Sequence, residues 1–173
     1  MPAPDSIRIE PWGEDDLGLL ERLVGDSAMM EHLGGSETPD KITERQARYA
    51  RSGSRQFRIV YENSGEAVGW VGYWDRPWRG EDVYEIGWSA LPGHHGRRIA
   101  SRATGLLLEI AAGETARRYV HAFPSVGNAP SNAICRRAGF VLLAEVDFEY
   151  PPGHVMRCND WRLDLASRPT GRS

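Results

Sequence analysis

The stretch that decides the fold of this chain runs from residue 83 to residue 113 and reads VYEIGWSALPGHHGRRIASRATGLLLEIAAG. Its first six residues are typical of a β-strand, a break rich in Gly and Pro follows, and the later apolar residues recur at helical spacing. A glycine-bearing loop that leads directly into a helix presents unpaired backbone N–H groups at the positive end of the helix dipole. The segment therefore predicts an anion site suited to a pyrophosphate, with Arg97 and Arg98 adding positive charge.

Two common phosphate-binding motifs are absent from this segment. Neither G-x-x-x-x-G-K-[ST] nor G-x-G-x-x-G follows the strand. An ordinary strand-to-helix connection with solvated arginines is the alternative interpretation of this segment taken alone.

Hydrophobic spacing predicts the elements on either side. Before the segment we expect a short strand at 7–12, helices at 17–24 and about 42–51, strands at 57–61 and 68–73, and a turn region at 74–81. After it we expect a strand at 118–123, a helix at 129–138, and strands at 140–150 and 155–165. The order predicts one α/β (α+β) domain over residues 1–173, with its core at about 7–165, a polar tail at 166–173 and one central sheet.

Composition limits the classes of function. The chain has 173 residues, 40% of them hydrophobic, and a formal net charge of -3, so we expect no nucleic-acid partner. No apolar run approaches the roughly 20 residues of a membrane span, and the N-terminus lacks the layout of a signal peptide. Two cysteines, Cys135 and Cys158, are too few for a disulfide framework and favour a cytoplasmic location. The histidines and cysteines show no zinc spacing, so we expect no metal.

A second informative stretch runs from residue 128 to residue 140 and reads NAPSNAICRRAGF. It predicts a short helix in which Asn128 is the N-cap and Gly139 ends the last turn. Capping explains the Asn, the Pro and the Gly. It does not explain Ser131, a hydroxyl in the first turn of a helix that begins just after a strand.

Together the two stretches resemble the GNAT family of N-acetyltransferases, and within it the branch of the ribosomal-protein alanine acetyltransferases. The first family motif is Glu-Ile-Gly-aromatic, a Pro, then Q/R-x-x-G-x-G/A at a helix start, and it is matched by residues 85–100. The second motif is Asn-x-x-Ser, seven residues, then Gly-Phe, matched at Asn128, Ser131, Gly139 and Phe140. The resemblance covers about residues 7–165, although only these two motifs are specific.

The resemblance implies a mixed sheet of about six or seven strands, splayed between the fourth and fifth, with about four helices. It implies acetyl-CoA as co-substrate, with the pantetheine chain in the gap between the splayed strands, and a monomer or homodimer. The residues implied in cofactor binding are Trp88, Ser89, Ala90, His95, Gly96, Arg97, Arg98, Ile99, Ala100, Ser101, Asn128 and Ser131.

Three positions depart from the family pattern. His95 stands where Gln or Arg is usual, and Arg98 stands where the central Gly of the motif is expected, which bears on how closely a phosphate approaches the backbone. Cys135 occupies the helix position that carries a Tyr general acid in many relatives. Ser131 is therefore the candidate group for the leaving thiolate.

The predicted reaction is direct attack of an amine on the acetyl thioester. We expect Glu85 to take the proton of the amine and Ser131 to assist the leaving thiolate. Trp74, Trp78 and Glu145 are the predicted acceptor-binding residues, with solvent exposure the alternative for Glu145 and a structural ion pair the alternative for Glu85. The acceptor is a protein N-terminus or a small-molecule amine, and a non-catalytic acyl-CoA binding or sensing module is the alternative function.

Overall fold

The computed structural model describes residues 5–31, 34–150 and 152–168, and its centre is one seven-stranded mixed sheet. The strands are β1 Ile7–Pro11, β2 Gln56–Tyr61, β3 Ala67–Trp78, β4 Glu81–Ala90, β5 Tyr119–Ala122, β6 Val141–Glu149 and β7 Val155–Asp164. Their order is β1-β2-β3-β4-β5-β7-β6. The helices are α1 Leu17–Val24, α2 Pro39–Tyr49, α3 Ile99–Glu114 and α4 Ala129–Ala138. The predicted fold class is confirmed.

The two central strands, β4 and β5, separate after a short contact. They run parallel and pair at only two positions, Tyr84 with Val120 and Glu85 with His121. Strand β4 then continues to Ala90, whereas β5 ends at Ala122. In the part of the chain that the structure describes, residues 86–90 therefore have a strand partner only on the β3 side, which leaves a gap at this point of the sheet.

Alternation along the strands gives the sheet two different faces. On one face, Val71, Tyr73, Tyr84 and Ile86 pack against α3 in the main core. On the opposite face, a second cluster joins α1 and α2 to the sheet through side chains such as Tyr49 and Trp70. The site described below uses both faces next to the β4–β5 gap.

The turn region predicted at 74–81 is wrong for most of its length. Strand β3 continues to Trp78, and only Arg79 and Gly80 connect it to β4. Both have positive φ, 50° and 80°, as a two-residue hairpin turn requires. Strand pairing continues through Pro77, opposite Asp82. Trp74 and Trp78 consequently lie on a strand and not in a loop.

Smaller differences occur at element ends. Helix α2 begins at Pro39 because the Thr38 hydroxyl accepts a hydrogen bond from the Lys41 N–H and proline suits the first helical turn. The predicted tail at 166–173 begins inside a 3₁₀ turn, Leu165–Ser167. The rest of that tail, from residue 169 onward, lies outside the described residues.

Among the residues that the structure describes, no helix is long and apolar enough to cross a membrane. No group of three or more His, Cys, Asp and Glu side chains is arranged to hold a metal ion within 5–31, 34–150 and 152–168.

Candidate active site

The loop between β4 and α3 has the backbone of an anion site. A 3₁₀ turn, Pro92–His94, is followed by left-handed conformations at Gly96, with φ of 81°, and at Arg98, with φ of 56°. Arg98 thus adopts the backbone conformation that favours the glycine usual in the motif. Its side chain is exposed, so the departure from glycine does not fill the loop.

The N-terminal turn of α3 offers free donors. None of the hydrogen bonds among the described residues uses a backbone N–H from residues 96–101. The first such bond of the helix joins the Arg102 N–H to the Arg98 carbonyl. Six consecutive N–H groups therefore remain available at the positive end of a 16-residue helix.

Side chains around this loop hold it in place. One ring nitrogen of His95, Nε2, lies 2.7 Å from the Ala90 carbonyl oxygen, so His95 ties the loop to the end of β4. Arg97 donates to the Tyr61 hydroxyl at 3.4 Å and lies 3.6 Å from Asp5. The predicted cofactor residues at 95–101 are thus contiguous in space, with the His95 side chain occupied by a structural contact.

The second motif lies close to β4. The Trp88 indole Nε1–H donates to Ser131 Oγ at 3.2 Å, which joins β4 to the first turn of α4. The Asn128 side-chain oxygen accepts from the Ser131 N–H at 3.2 Å, and Asn128 is the N-cap of α4. The structure therefore brings Trp88, Ser131 and Asn128 together.

Cys135 lies one helical turn after Ser131 and is fully buried in the main core. Burial raises the pKa of its thiol to about 12. The thiol stays protonated at neutral pH, and a protonated thiol is a poor nucleophile.

Glu85 lies at the root of the gap, on the sheet face opposite to α3. It is 9% exposed, and its Oε2 accepts from Trp74 Nε1 at 3.0 Å and from Arg76 Nη1 at 2.9 Å. Burial raises the pKa of Glu85, while Arg76, Trp74 and His121 oppose that rise. The structure brings two predicted site residues, Glu85 and Trp74, into direct contact, and it also contains the ion pair of the alternative interpretation.

Aromatic rings form one wall beside Glu85. Tyr49 of α2 stacks on Trp70 with ring centroids 5.5 Å apart, and Trp70 stacks on Trp74 at 6.3 Å. Gly87 of the Glu-Ile-Gly-Trp motif leaves room for them, because a Cβ there would lie 2.8 Å from the Trp70 ring and 3.2 Å from the Trp74 ring. The glycine of the motif is explained by this close approach.

The same face carries a buried pair that the sequence did not predict as part of the site. His121 Nδ1 lies 2.6 Å from Asp160 Oδ1, and Trp78 Nε1 donates to Asp160 Oδ2 at 3.1 Å. Next to them, the Arg76 guanidinium lies 4.4 Å from the centre of the Phe148 ring. The predicted residue Trp78 thus lies close to Arg76, His121 and Asp160.

Two elements from opposite halves of the chain meet near this face. Arg45 of α2 forms an ion pair with Glu37 and donates to the Tyr150 hydroxyl at 2.6 Å. Tyr150 follows directly after β6. This contact connects α2 to the end of the β6–β7 hairpin.

Glu145 does not join this group. It pairs across the β6–β7 ladder with Asn159, whose side chain bonds to Asn132 of α4, so Glu145 lies on the face opposite to Asp160. Its side chain is 58% exposed and lies 3.4 Å from Arg157. This exposure agrees with the alternative stated for Glu145, and its role in acceptor binding stays a prediction.

Arg76, His121 and Asp160 are the residues that sequence reasoning missed. One signal was available for His121, a polar residue between Val120 and Ala122 on a short buried strand. Nothing in the sequence pairs it with Asp160, which is 39 residues away.

The comparisons with known proteins identify the family of this chain. The family model described as "Acetyltransferase (GNAT) domain" matches residues 6–141. The chain therefore belongs to the GNAT family, and it is an acetyltransferase. A search of the curated proteins found no matching sequence.

Solved structures share the fold over nearly the whole chain. A ribosomal-protein-S5-alanine acetyltransferase from Vibrio fischeri has a TM-score of 0.77 at 13% identity, with 98% of each chain covered. A putative acetyltransferase from Salmonella typhimurium, solved with acetyl-CoA, has a TM-score of 0.73 at 19% identity, covering 97% of this chain and 99% of the other. Spermidine N-acetyltransferase from Vibrio cholerae, solved with CoA and spermine, has a TM-score of 0.75 at 14% identity, covering 92% and 96%.

Proposed function

We propose that this enzyme transfers the acetyl group of acetyl-CoA to a primary amine, by direct attack of the amine within a ternary complex. The observation that carries the proposal is the position of Glu85. A buried carboxylate lies at the last pairing of β4 and β5, where the gap for a co-substrate begins. A base at that point can meet an amine that approaches from the face opposite to α3.

The residues of the β4–α3 loop suit the co-substrate. Free N–H groups from residues 96–101, at a helix N-terminus, would hold the pyrophosphate of acetyl-CoA. The edge of β4 at residues 88–90 faces the gap and would bind the pantetheine chain as a neighbouring strand does. When bound, acetyl-CoA supplies an acetyl group activated as a thioester. Two structural neighbours that contain CoA or acetyl-CoA support this assignment.

The opposite face suits a cationic acceptor. An amine reaches the enzyme mostly as an ammonium, with a reference pKa of about 8 for an α-amine and about 10.4 for a lysine. The carboxylate of Glu85 attracts the ammonium, and the neighbouring rings of Trp74 and Trp78 favour cations over their faces. Glu85 then takes the proton, directly or through one water, and leaves a neutral amine that can attack.

Ser131 is the candidate group for the leaving thiolate. Its hydroxyl already accepts a hydrogen bond from Trp88, so its own O–H remains free to donate. A hydroxyl that donates to the developing thiolate stabilises the transition state more than the bound substrates.

The acceptor belongs to one of two groups, protein N-termini or small-molecule amines. The neighbours named after a ribosomal protein and after spermidine represent both groups, and their identities of 13% and 14% favour neither.

The decisive experiment measures thiol release from acetyl-CoA in the presence of a peptide with a free N-terminal alanine, spermidine or an aminoglycoside. Acetylation of at least one of these amines, with loss of activity in Glu85→Gln, is the expected result. Calorimetric binding of acetyl-CoA without thiol release with any amine would instead favour the non-catalytic acyl-CoA module.

A further inference from the structure

The histidine next to Glu85 has a place in the sheet that suggests a role in proton transfer. His121 is the β5 residue that pairs with Glu85 of β4, so the two side chains lie on the same face at the root of the gap. It is 4% exposed, and its partner Asp160 is 1% exposed. Burying an ionisable pair of this kind costs solvation free energy, so stability alone is a weak explanation for it.

The hydrogen bonds of Asp160 define the form of the imidazole. One carboxylate oxygen accepts from Trp78 Nε1, and the other faces His121 Nδ1 at 2.6 Å. Nδ1 therefore carries a hydrogen, and in the neutral ring Nε2 has the lone pair. Nε2 of His121 makes no hydrogen bond within the described residues. Arg76 Nε is the one buried side-chain nitrogen or oxygen there that lacks a partner. Because Nε2 of His121 lacks a partner and is not buried in this sense, it must be in contact with solvent.

The charges around His121 suit a cationic ligand that gives up a proton. Arg76 of β3, Glu85 of β4 and Asp160 of β7 lie around it on this face. Arg162 of β7 pairs with His121 across the β5–β7 ladder and places its guanidinium over the Tyr119 ring, 4.3 Å from the ring centre. Arg76, Glu85 and Asp160 by themselves carry one excess negative charge while the imidazole is neutral, and Arg162 adds a positive charge farther along β5, over Tyr119. The excess negative charge is therefore local to Glu85 and His121, where it attracts an ammonium, and the total charge is unchanged when the ammonium proton moves onto either group.

The remaining titratable groups packed near this face are neutral or paired. Burial raises the pKa of the Cys158 thiol of β7 to about 11, so the thiol stays neutral. Strand β6 turns the apolar residues Val146 and Phe148 towards this face. On the side of α2, Arg45 is paired with Glu37.

We propose that Glu85 and His121 act as one coupled proton-accepting pair for the acceptor amine, with Asp160 fixing the tautomer of His121. The proposal rests on the proposed amine acetylation. An N–H bond of the ammonium breaks, its electron pair stays on nitrogen, and the proton goes to Glu85 Oε1 or His121 Nε2. The nitrogen then forms its bond to the acetyl carbon, and the carbon–sulfur bond of the thioester breaks with its electron pair going to the CoA sulfur. The second proton lost by the nitrogen goes to this thiolate, and the proton held by Glu85 and His121 later leaves to solvent.

Two substitutions separate this role from a structural one. In His121→Asn, the amide N–H can still donate to Asp160, but the base at Nε2 is lost. In Asp160→Asn, the amide oxygen remains with Trp78, so the amide nitrogen faces Nδ1 and forces the hydrogen onto Nε2. Both variants keep the packing and remove the free lone pair.

The test combines kinetics with a measurement that needs no acceptor. Using the best amine of the panel, we expect His121→Asn and Asp160→Asn to lower kcat about 10- to 100-fold, to shift the acidic limb of the pH profile and to leave the affinity for acetyl-CoA unchanged. The double variant Glu85→Gln/His121→Asn should be at most about threefold slower than Glu85→Gln alone, because coupled groups are not additive. In NMR spectra of the free enzyme at neutral pH, the His121 ring signals should move in Glu85→Gln, because a charged neighbour has been removed.

Two results would overturn the coupled pair. One is a set of His121 ring signals that is identical in wild type and Glu85→Gln. The other is a His121→Asn variant with wild-type kcat and an unmoved acidic limb. Both are distinct from failure of the proposed function, which would show as no acetylation of any amine by the wild type.

Discussion

The substitution Glu85→Gln tests the proposed chemistry most directly. Glutamine preserves the shape of the side chain and keeps an oxygen that can accept from Trp74 at the present 3.0 Å. It removes the negative charge and the base. If Glu85 takes the proton, kcat/KM should fall by roughly two to four powers of ten, the usual contribution of a general base.

The pH dependence of this variant has a defined sign. Burial raises the pKa of Glu85, so the wild type should lose activity on acidification at a pH above the ordinary carboxyl value of about 4.3. In Glu85→Gln this loss of activity should no longer reflect protonation of Glu85. The rate should instead follow the concentration of the free amine. The free amine increases about tenfold per pH unit below the amine pKa, so the variant should partly recover at high pH.

Stability must be separated from catalysis in this experiment. The substitution removes a charge-assisted hydrogen bond to Arg76 and also the desolvation penalty that raises the Glu85 pKa, so we expect the free energy of unfolding to change by less than about 1 kcal/mol. The lost ion pair itself contributes little, because the Arg76 side chain is 32% exposed and partly screened. Asp75→Asn is the matched control, since Asp75 precedes Arg76 on β3 and pairs with Arg55 and Arg117 on the opposite face. It should leave kcat/KM within about twofold.

The assay is the initial rate of thiol release over a range of pH, with denaturant unfolding of each variant. A Glu85→Gln enzyme with wild-type kcat/KM and an unshifted acidic limb would refute the reasoning. The ion pair with Arg76 would then be the whole role of Glu85.

Three further predictions concern the loop, the leaving group and the motif glycine. In the loop, Arg98→Gly should leave the affinity for acetyl-CoA within about tenfold (~1.4 kcal/mol). Gly96→Pro should weaken that affinity far more, because it removes a backbone donor and fixes φ near −65°. If calorimetric titration shows the reverse order, the Arg98 side chain is the phosphate ligand. Ser131→Ala should lower kcat more than it changes KM, and an unchanged kcat in steady-state kinetics would leave Ser131 a structural residue. Gly87→Ala should lower the free energy of unfolding, measured with denaturant, by about 1–3 kcal/mol, because its Cβ meets the Trp70 ring. Gly105→Ala on α3, where a Cβ has nothing within 4 Å, should be neutral or stabilising. Equal effects of the two substitutions would contradict the packing argument.

Local sequence predicted the elements that depend on neighbouring residues. The strand, loop and helix at residues 83–113 and the capped helix at 128–138 were assigned correctly. Both follow from hydrophobic period, capping residues and glycines, which act within a few residues. The extension of β3 from Trp74 to Trp78 was missed, because Trp, Asp, Arg and Pro there resemble the composition of a turn.

Part of the candidate site was also predicted from the sequence. The two motifs sufficed to select Glu85, Trp88 and Ser131, and the contact between Trp88 and Ser131 brings two of these positions together. Glu145 was selected on strand alternation alone. Alternation shows which side chains share a face but not which face borders the site, and the pairing of Glu145 with Asn159 places it on the face opposite to Asp160.

The buried cluster around Glu85 was decided by the tertiary structure. Arg76 reaches Glu85 because the β3–β4 hairpin places Trp74 opposite it, and His121 reaches Glu85 because β4 and β5 pair in one particular parallel register. Asp160 joins them from β7, 39 residues beyond His121. The sequence by itself determined the elements and their apolar faces, since those depend on short-range spacing. The register between distant strands depends on how all the faces pack at once, and only the folded chain fixes which charges meet.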